Sequence, residues 1–130
     1  MRILIIDDDP ACHLIISRQL RSRDITVFGV VDPFQALRAA REQRPDVILL
    51  DLGLPGGDGF LMLERLKANT LLATIPVIIV TSRDLKEVEE KAVQAGAAAS
   101  LQKPINMESL LTVIEQVLKD SHQTGGPQLV

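Results

Sequence analysis

The chain has 130 residues, 46% of them hydrophobic and 24% charged, which fits one globular domain and leaves too little for two domains with cores of their own. Its formal net charge of −3 argues against a general nucleic-acid-binding protein, and its single cysteine excludes an internal disulfide. The apolar stretch near the N-terminus is four residues long and ends in three acids, unlike a signal peptide. No apolar run approaches the roughly 18 residues of a membrane span. We therefore expect a cytoplasmic protein.

Five short apolar runs recur along the chain, at residues 3–6, 25–28, 47–50, 77–80 and 97–101. The first, third and fourth are almost wholly apolar, which predicts strands buried on both faces, as in a parallel sheet. The second run is more mixed and predicts an edge strand. The fifth is rich in alanine, so propensity alone does not define it.

Each run is followed by apolar residues at helical spacing, and residues suited to cap a helix precede these segments. The predicted caps are Asp9, Asp32, Asp58, Asp84 and Asn106. Strands that alternate with helices predict an α/β fold, with a parallel sheet and helices on both faces. We expect one domain over residues 1–120. Residues 121–130, with a Gly-Gly-Pro sequence, are predicted to be a flexible tail or the start of a linker.

Polar residues follow four of the five runs, at the strand ends where ligands bind in open parallel sheets. They are Asp7 and Asp8 after the first run, Asp51 after the third, Thr81 after the fourth and Lys103 after the fifth. Three clustered carboxylates repel one another unless a cation is present, and Mg²⁺ prefers such ligands. A hydroxyl and an ammonium opposite them suit a phosphoryl group, and a carboxylate can serve as the nucleophile. The pattern predicts Mg²⁺-assisted phosphoryl transfer.

Several of these residues and their neighbours also have ordinary structural explanations. Thr81 is suited to prepare the next helix, and a lone lysine such as Lys103 is usually solvated. Cys12 lies on the apolar face of the first predicted helix, which favours a place in the core. His13 has no partner at the spacing of a metal or nucleophilic site, which favours a solvated side chain.

Four motifs occur in order at the ends of the predicted strands, namely ILIIDDDP, VILLDLGLPGGDG, PVIIVTS and LQKP. With these motifs the chain resembles the receiver domains of two-component response regulators, over residues 2–119. The resemblance implies a doubly wound, flavodoxin-like (βα)5 sheet of strand order 2-1-3-4-5. It also implies a bacterial signalling switch that takes a phosphoryl group from a histidine kinase or histidine phosphotransfer protein. Such a switch is not an enzyme, apart from assisting its own phosphorylation and dephosphorylation.

The resemblance assigns a role to each residue of the acidic cluster. Asp51 would be the phosphoacceptor. Asp8 and Asp51 would bind Mg²⁺, or Mn²⁺ in its place, together with the backbone carbonyl of Gly53. Asp7 would act mainly through a bound water.

The resemblance also assigns roles beyond the acidic cluster. Thr81 would reorient toward the phosphoryl oxygen and Lys103 would pair with it, and the peptide bond before Pro104 is expected to be cis. The downstream output domain or protein stays open, a homodimer is compatible with the resemblance, and we expect neither nucleic acid nor membrane to contact this domain directly.

The chain departs from the usual receiver pattern at several positions near the predicted site. Ser100 stands where receivers usually carry Tyr or Phe, and Ile105 stands where Phe is common. Gly53 is bare where many receivers carry a side chain, and Arg83 places a cation near the mouth of the site. Without an aromatic at position 100, the output surface is therefore expected to respond weakly to activation or by a different route.

Two other functions compete with the signalling switch. A phosphatase similar to the haloacid dehalogenases would use Asp7 as its nucleophile, with Asp9 two residues later. A receiver-fold interaction module would signal without phosphorylation, which the absence of the aromatic at Ser100 would suit. The site of phosphorylation distinguishes the three functions. The signalling switch predicts phosphorylation of Asp51, the phosphatase predicts phosphorylation of Asp7, and the interaction module predicts none.

Overall fold

A computed structural model describes residues 1–20, 24–53 and 59–125. The strands among these residues are β1 (Arg2–Ile6), β2 (Thr26–Val30), β3 (Val47–Asp51), β4 (Val77–Thr81) and β5 (Ala99–Gln102). The α-helices are α1 (Pro10–Leu20), α2 (Ala36–Gln43), α3 (Gly59–Ala68), α4 (Leu85–Gln94) and α5 (Met107–Gly125), and a 3-10 turn (Pro33–Gln35) leads into α2. Strands and helices alternate along the chain as the sequence predicts.

The five strands form one parallel sheet in the order β2-β1-β3-β4-β5. This is the doubly wound order that the resemblance implies, with β3 at the centre between β1 and β4. It confirms the edge position that was predicted for the second apolar run. β2 and β5 lie at the edges and are only partly buried, whereas β3 and β4 are buried along their whole length.

Successive residues of the central strands point to opposite faces of the sheet and so build two cores. Leu4 of β1 belongs to the core under α2, α3 and α4, while Ile3 of β1 belongs to the core under α1 and α5. This arrangement explains why the central runs are continuously apolar, since neither face of these strands meets water.

Several of the predicted helix caps are present. Asp84 Oδ1 accepts the backbone N–H of Lys86 at 3.0 Å, and Asp9 Oδ1 accepts that of Ala11 at 3.0 Å. Asp32 caps the 3-10 turn that precedes α2 instead of α2 itself, through the N–H of Phe34 at 2.9 Å. The predicted cap at Asp58 lies outside the described residues.

The predicted start of the tail needs a correction, because α5 does not end at residue 120. It continues to Gly125, so residues 121–125 are helical and residues 126–130 lie outside the described residues. The apolar pattern ends at Leu118, before the helix does. Apolar spacing shows which side of a helix is buried, and it does not show where the backbone hydrogen bonding ends. No helix in the described part of the chain is long and apolar enough to cross a membrane.

Candidate functional site

The predicted site residues meet at the carboxyl edge of the sheet. Asp7 follows the last residue of β1, Asp51 ends β3, Thr81 ends β4 and Lys103 directly follows β5. Because β1, β3, β4 and β5 are successive neighbours in the sheet, these four ends lie in one row. Tertiary structure thus joins residues that are up to 96 positions apart in the sequence.

An ammonium and two buried carboxylates form the centre of the site. Lys103 Nζ lies 2.9 Å from Asp7 Oδ2 and 3.5 Å from Asp51 Oδ2. Asp7 is 2% exposed and Asp51 is 9% exposed, whereas Asp8 is exposed. The three acids each offer a carboxylate oxygen, and these oxygens lie within 4.8 Å of one another. The ammonium of Lys103 therefore pairs with two of these three carboxylates.

Local backbone turns fix the side chains of the site. Asp7 Oδ1 accepts the N–H of Asp9 at 2.9 Å, and Asp51 Oδ1 accepts the N–H of Gly53 at 3.0 Å. The buried Thr81 uses its Oγ1 in the same way, accepting the N–H of Arg83 at 3.0 Å. In each of these turns a side-chain oxygen accepts the N–H of the residue two positions later, which is typical of Asp and Thr in turns. Each carboxylate thereby keeps its second oxygen for Lys103.

The two buried carboxylates have opposite electrostatic environments. Burial raises the pKa of Asp7, but hydrogen bonds from the Asp9 N–H, Lys103 and Cys12 outweigh it, so the pKa lies below its ordinary value. Burial raises the pKa of Asp51 as well, and there the charge on Asp7 adds to the effect, so the pKa lies above its ordinary value. Of the two carboxylates, Asp7 is therefore the one whose charged form the contact with Lys103 stabilises overall.

Lys103 stays firmly protonated in this setting. Burial lowers its pKa, but the carboxylates of Asp7 and Asp51 outweigh that effect and raise the pKa above its ordinary value. Lys103 lies closer to Asp7 than to Asp51. The Asp51 oxygen is therefore the one that can more easily exchange its contact with the ammonium for another partner.

The donors fit a hard divalent cation. Carboxylate oxygens from Asp7, Asp8 and Asp51 converge, and oxygen is the ligand type that Mg²⁺ and Ca²⁺ prefer. No sulfur or imidazole belongs to this cluster of described residues, which disfavours zinc or copper.

The remaining predicted site residues have the following positions. The Lys103–Pro104 peptide bond is cis, as predicted. Gly53 leaves space beside Asp51, since a Cβ built there would lie 3.6 Å from Asp51 Oδ1. Ser100 is half-buried in β5, and the residue after the Thr81 turn, Arg83, has an exposed side chain.

Two α1 residues that were predicted to be unrelated to the chemistry contact Asp7. The prediction of a solvated His13 is wrong, because the ring is partly buried and its Nε2 lies 2.6 Å from the backbone oxygen of Asp7. Cys12 packs against the α1/α5 core as predicted, but its thiol also lies close enough to Asp7 for each group to shift the pKa of the other. Burial and that carboxylate raise the pKa of Cys12 to about 12. The overlooked signal for His13 is Gly29, which leaves room for an imidazole beside β2.

Comparison with known proteins agrees with this geometry. The family model "Response regulator receiver domain" matches residues 3–115. The chain is 37% identical over 120 residues to the DNA-binding dual master transcriptional regulator RpaA of Synechocystis, a match that covers 91% of this chain and 49% of RpaA. It is 34% identical over 117 residues to protein PilH of Pseudomonas aeruginosa, covering 90% of this chain and 97% of PilH. The chain thus spans about half the length of RpaA and nearly all of PilH.

A solved structure shares the fold as well. The receiver domain of the sensor histidine kinase PA1611 of Pseudomonas aeruginosa, described with a magnesium ion coordinated in its active-site cleft, is 32% identical and superposes with a TM-score of 0.81. The match covers 91% of this chain and 97% of that one. Since the family match extends over most of the chain and the sheet has the corresponding strand order, the chain belongs to the response regulator receiver domains of two-component systems.

Proposed function

We propose that this receiver is a phosphorylation-dependent signalling switch and that Asp51 accepts the phosphoryl group. The observation that carries the proposal is the position of Asp51 Oδ2, 3.5 Å from the ammonium of Lys103, in a carboxylate group that also lies within reach of Asp7 and Asp8. The phosphoryl donor would be the phosphohistidine of a histidine kinase or a histidine phosphotransfer protein, in the cytoplasm.

The transfer exchanges one bond to phosphorus for another. An Asp51 oxygen attacks the phosphorus, the bond between phosphorus and the donor imidazole nitrogen breaks, and the imidazole keeps that electron pair and takes up a proton. The product is an acyl phosphate on Asp51. Hydrolysis by water later restores the carboxylate and releases inorganic phosphate.

Lys103 supplies fixed positive charge for this step. Asp7 already holds the ammonium at 2.9 Å, so the ammonium does not have to be positioned when the phosphoryl group arrives. We propose that Lys103 exchanges its longer contact with Asp51 for one with a phosphoryl oxygen.

The acidic cluster would hold Mg²⁺, with Asp8 and Asp51 as direct ligands, Asp7 acting through water, and the Gly53 carbonyl as a further ligand. The fit rests on the convergent carboxylate oxygens, whose charge is offset, among the described residues, by the ammonium of Lys103 alone. When bound, Mg²⁺ would neutralise charge on the phosphoryl oxygens. Mn²⁺ has the same preference for oxygen ligands and would substitute.

Thr81 would report the presence of the phosphoryl group. Its hydroxyl is buried and accepts the N–H of Arg83 at 3.0 Å, so its own proton is available to another acceptor. We propose that the hydroxyl reorients to donate to a phosphoryl oxygen and draws the loop after β4 with it.

The alternative nucleophile, Asp7, is held more closely than Asp51, since Lys103 Nζ lies 2.9 Å from Asp7 Oδ2 and 3.5 Å from Asp51 Oδ2. Asp7 is 2% exposed, and each of its carboxylate oxygens already accepts a hydrogen bond, one from the Asp9 N–H and one from Lys103. Attack through Asp7 would require these bonds to break. This disfavours the phosphatase function.

Labelling with a small phosphodonor tests the proposal. The full chain is treated with acetyl phosphate and Mg²⁺, and intact-mass and peptide mass spectrometry locate the label. We expect one phosphoryl group, on Asp51, that Asp51→Asn abolishes while circular dichroism remains that of the folded parent. Labelling of Asp7 in the Asp51→Asn variant would support the phosphatase. A parent that binds Mg²⁺ and is never labelled would support the phosphorylation-independent module.

A further inference from the structure

His13 occupies a position where one side chain contacts both the acidic turn and the neighbouring edge strand. On α1 it lies one turn before the buried Ile16 and two turns before the buried Leu20, so it extends the face that packs on the sheet. α1 starts three residues after Asp7, so the first turns of the helix lie over the end of β1. His13 therefore reaches the acidic turn from above the sheet.

The hydrogen bond from His13 completes the pairing of the Asp7 peptide group. The N–H of Asp7 donates to the carbonyl of Val30 at 3.1 Å and so continues the pairing of β1 with β2 by one residue. The carbonyl of Asp7 lies beyond the last paired residues of β1 and β3, and His13 Nε2 bonds it at 2.6 Å. Because a carbonyl only accepts, the proton must be on Nε2.

Gly29 on β2 provides the space for the ring. A Cβ built on Gly29 would collide with Nδ1 of His13 and would lie 2.8 Å from its Cε1. Any larger residue at position 29 would displace the imidazole. His13 and Gly29 thus form one steric unit that spans α1 and the edge strand, although they are 16 positions apart in the sequence.

We propose that His13 is a positioning residue for the metal site. By fixing the peptide group between Asp7 and Asp8, it sets the direction in which the exposed Asp8 carboxylate projects toward Asp51. Asp7 is already held through its own side chain, whereas among the described residues no hydrogen bond holds the Asp8 side chain, so the orientation of Asp8 depends on the backbone that His13 fixes. The inference rests on the proposed function, because it assumes that Asp8 binds the cation.

A matched pair of variants separates the hydrogen bond from the packing. His13→Gln keeps an N–H donor at a similar reach, whereas His13→Met keeps length and volume and has no donor. The readout is the half-saturating Mg²⁺ concentration, taken as the dissociation constant that is fitted to the rise in thermal midpoint of the full chain with Mg²⁺ concentration. We expect His13→Met to raise it about tenfold, the size of effect typical of groups that orient metal ligands. His13→Gln should stay close to the parent, and so should Gln19→Met, an apolar substitution at an exposed α1 position.

A second test approaches the same contact from β2. Gly29→Ala should weaken Mg²⁺ binding in the same direction as His13→Met, because the new methyl group displaces the ring. In a His13→Ala background, Gly29→Ala should have no further effect on the half-saturating concentration, which is the non-additivity expected of residues in contact. Maximal labelling of Asp51 at saturating Mg²⁺ should remain, since a positioning defect is overcome by more metal.

Each other outcome overturns the inference. If His13→Met binds Mg²⁺ as the parent does, the imidazole only fills space. If His13→Gln is as weak as His13→Met, or if Gly29→Ala acts equally in both backgrounds, the hydrogen bond is not the cause. These results leave phosphorylation of Asp51 intact as a function. A parent with no response to Mg²⁺ overturns the metal site and this inference together.

Discussion

The two halves of the site differ in how firmly they are held. On the β1 side, Asp7 is fixed by Val30, Asp9 and His13, and its side chain pairs with Lys103. On the β4 and β5 side, the hydroxyl of Thr81 has one hydrogen bond within the described part of the chain, from the N–H of Arg83.

The neighbouring edge strand β5 is only partly buried, with a serine at position 100. The acidic half is therefore held by more contacts than the half that contains Thr81. The proposed switch would use this difference, because a phosphoryl charge bound at the rigid acidic half would shift the conformational equilibrium of the less firmly held half.

Removing the ammonium should disturb the rigid half most. Lys103→Met leaves the nearly buried Asp7 carboxylate without its cation, and we expect the free energy of unfolding to fall by about 2 kcal/mol, less than for a fully buried pair because Lys103 is partly exposed. Urea unfolding at pH 7 without Mg²⁺ measures the change. Lys119→Met, at an exposed lysine of α5, is the control and should be neutral. Equal stability of the two variants would show that Lys103 contributes nothing to the fold.

The pH dependence of the Lys103→Met effect has a defined sign. The folded pKa of Asp7 lies below its ordinary value, so its pair stabilises the fold above the ordinary pKa of 3.8 and is lost as pH falls through the folded value. The stability gap between parent and variant should therefore narrow as the solution is acidified. A gap that widens in acid would contradict this assignment.

Metal should stabilise the same half. Mg²⁺ well above its dissociation constant is expected to raise the free energy of unfolding by about 1–3 kcal/mol, because it binds only the folded arrangement of the acids. Asp8→Asn should remove most of this gain, whereas Asp46→Asn, at the opposite edge of the sheet, should keep it. An unchanged melting temperature of the parent at several times the intracellular level of Mg²⁺ would contradict the metal site.

Without metal, the Asp51 carboxylate is expected to cost stability. Its pKa is raised by burial and by Asp7, so Asp51→Asn should raise the free energy of unfolding by about 1 kcal/mol at pH 7. The gain should disappear below the ordinary pKa of 3.8, where the folded and unfolded forms of Asp51 are both protonated. Denaturant unfolding at the two pH values, with chelator present, decides the matter. A destabilised Asp51→Asn protein at pH 7 would mean that Lys103 holds Asp51 more strongly than Asp7 repels it.

The smallest effect is expected in the output half. Activation with beryllofluoride should change amide exchange mainly in residues 82–84 and at the start of α4, with little change around Ser100. A serine buries too little area to stabilise a second arrangement. Ser100→Tyr should extend the changes into β5 and α5 and leave labelling of Asp51 unaltered, with Ser100→Ala as the matched control. Strong exchange changes through β5 in the parent would show that the aromatic is dispensable.

The sequence by itself was enough to predict the alternation of strands and helices, the buried central strands, most of the caps and the residues that follow each strand. These features depend on local periodicity and on residue types with strong preferences, such as Asp84 at a helix start. The resemblance supplied the strand order and the roles. The end of α5 was missed because residues 121–125 continue the helix without continuing its apolar stripe.

Only the tertiary structure decided how the site is held. That Lys103 pairs with Asp7 more closely than with Asp51 depends on the relative positions of three strands, which no local pattern encodes. The same holds for His13 of α1. Its ring lies against Gly29 of β2, and the proton on its Nε2 points to the backbone oxygen of Asp7. A contact to a backbone carbonyl leaves no mark on the partner's residue type, so the sequence carried only an indirect signal of this contact, the glycine at position 29. The physical reason is that side-chain chemistry is local, whereas the distances that give it a function are set by how the sheet and helices pack.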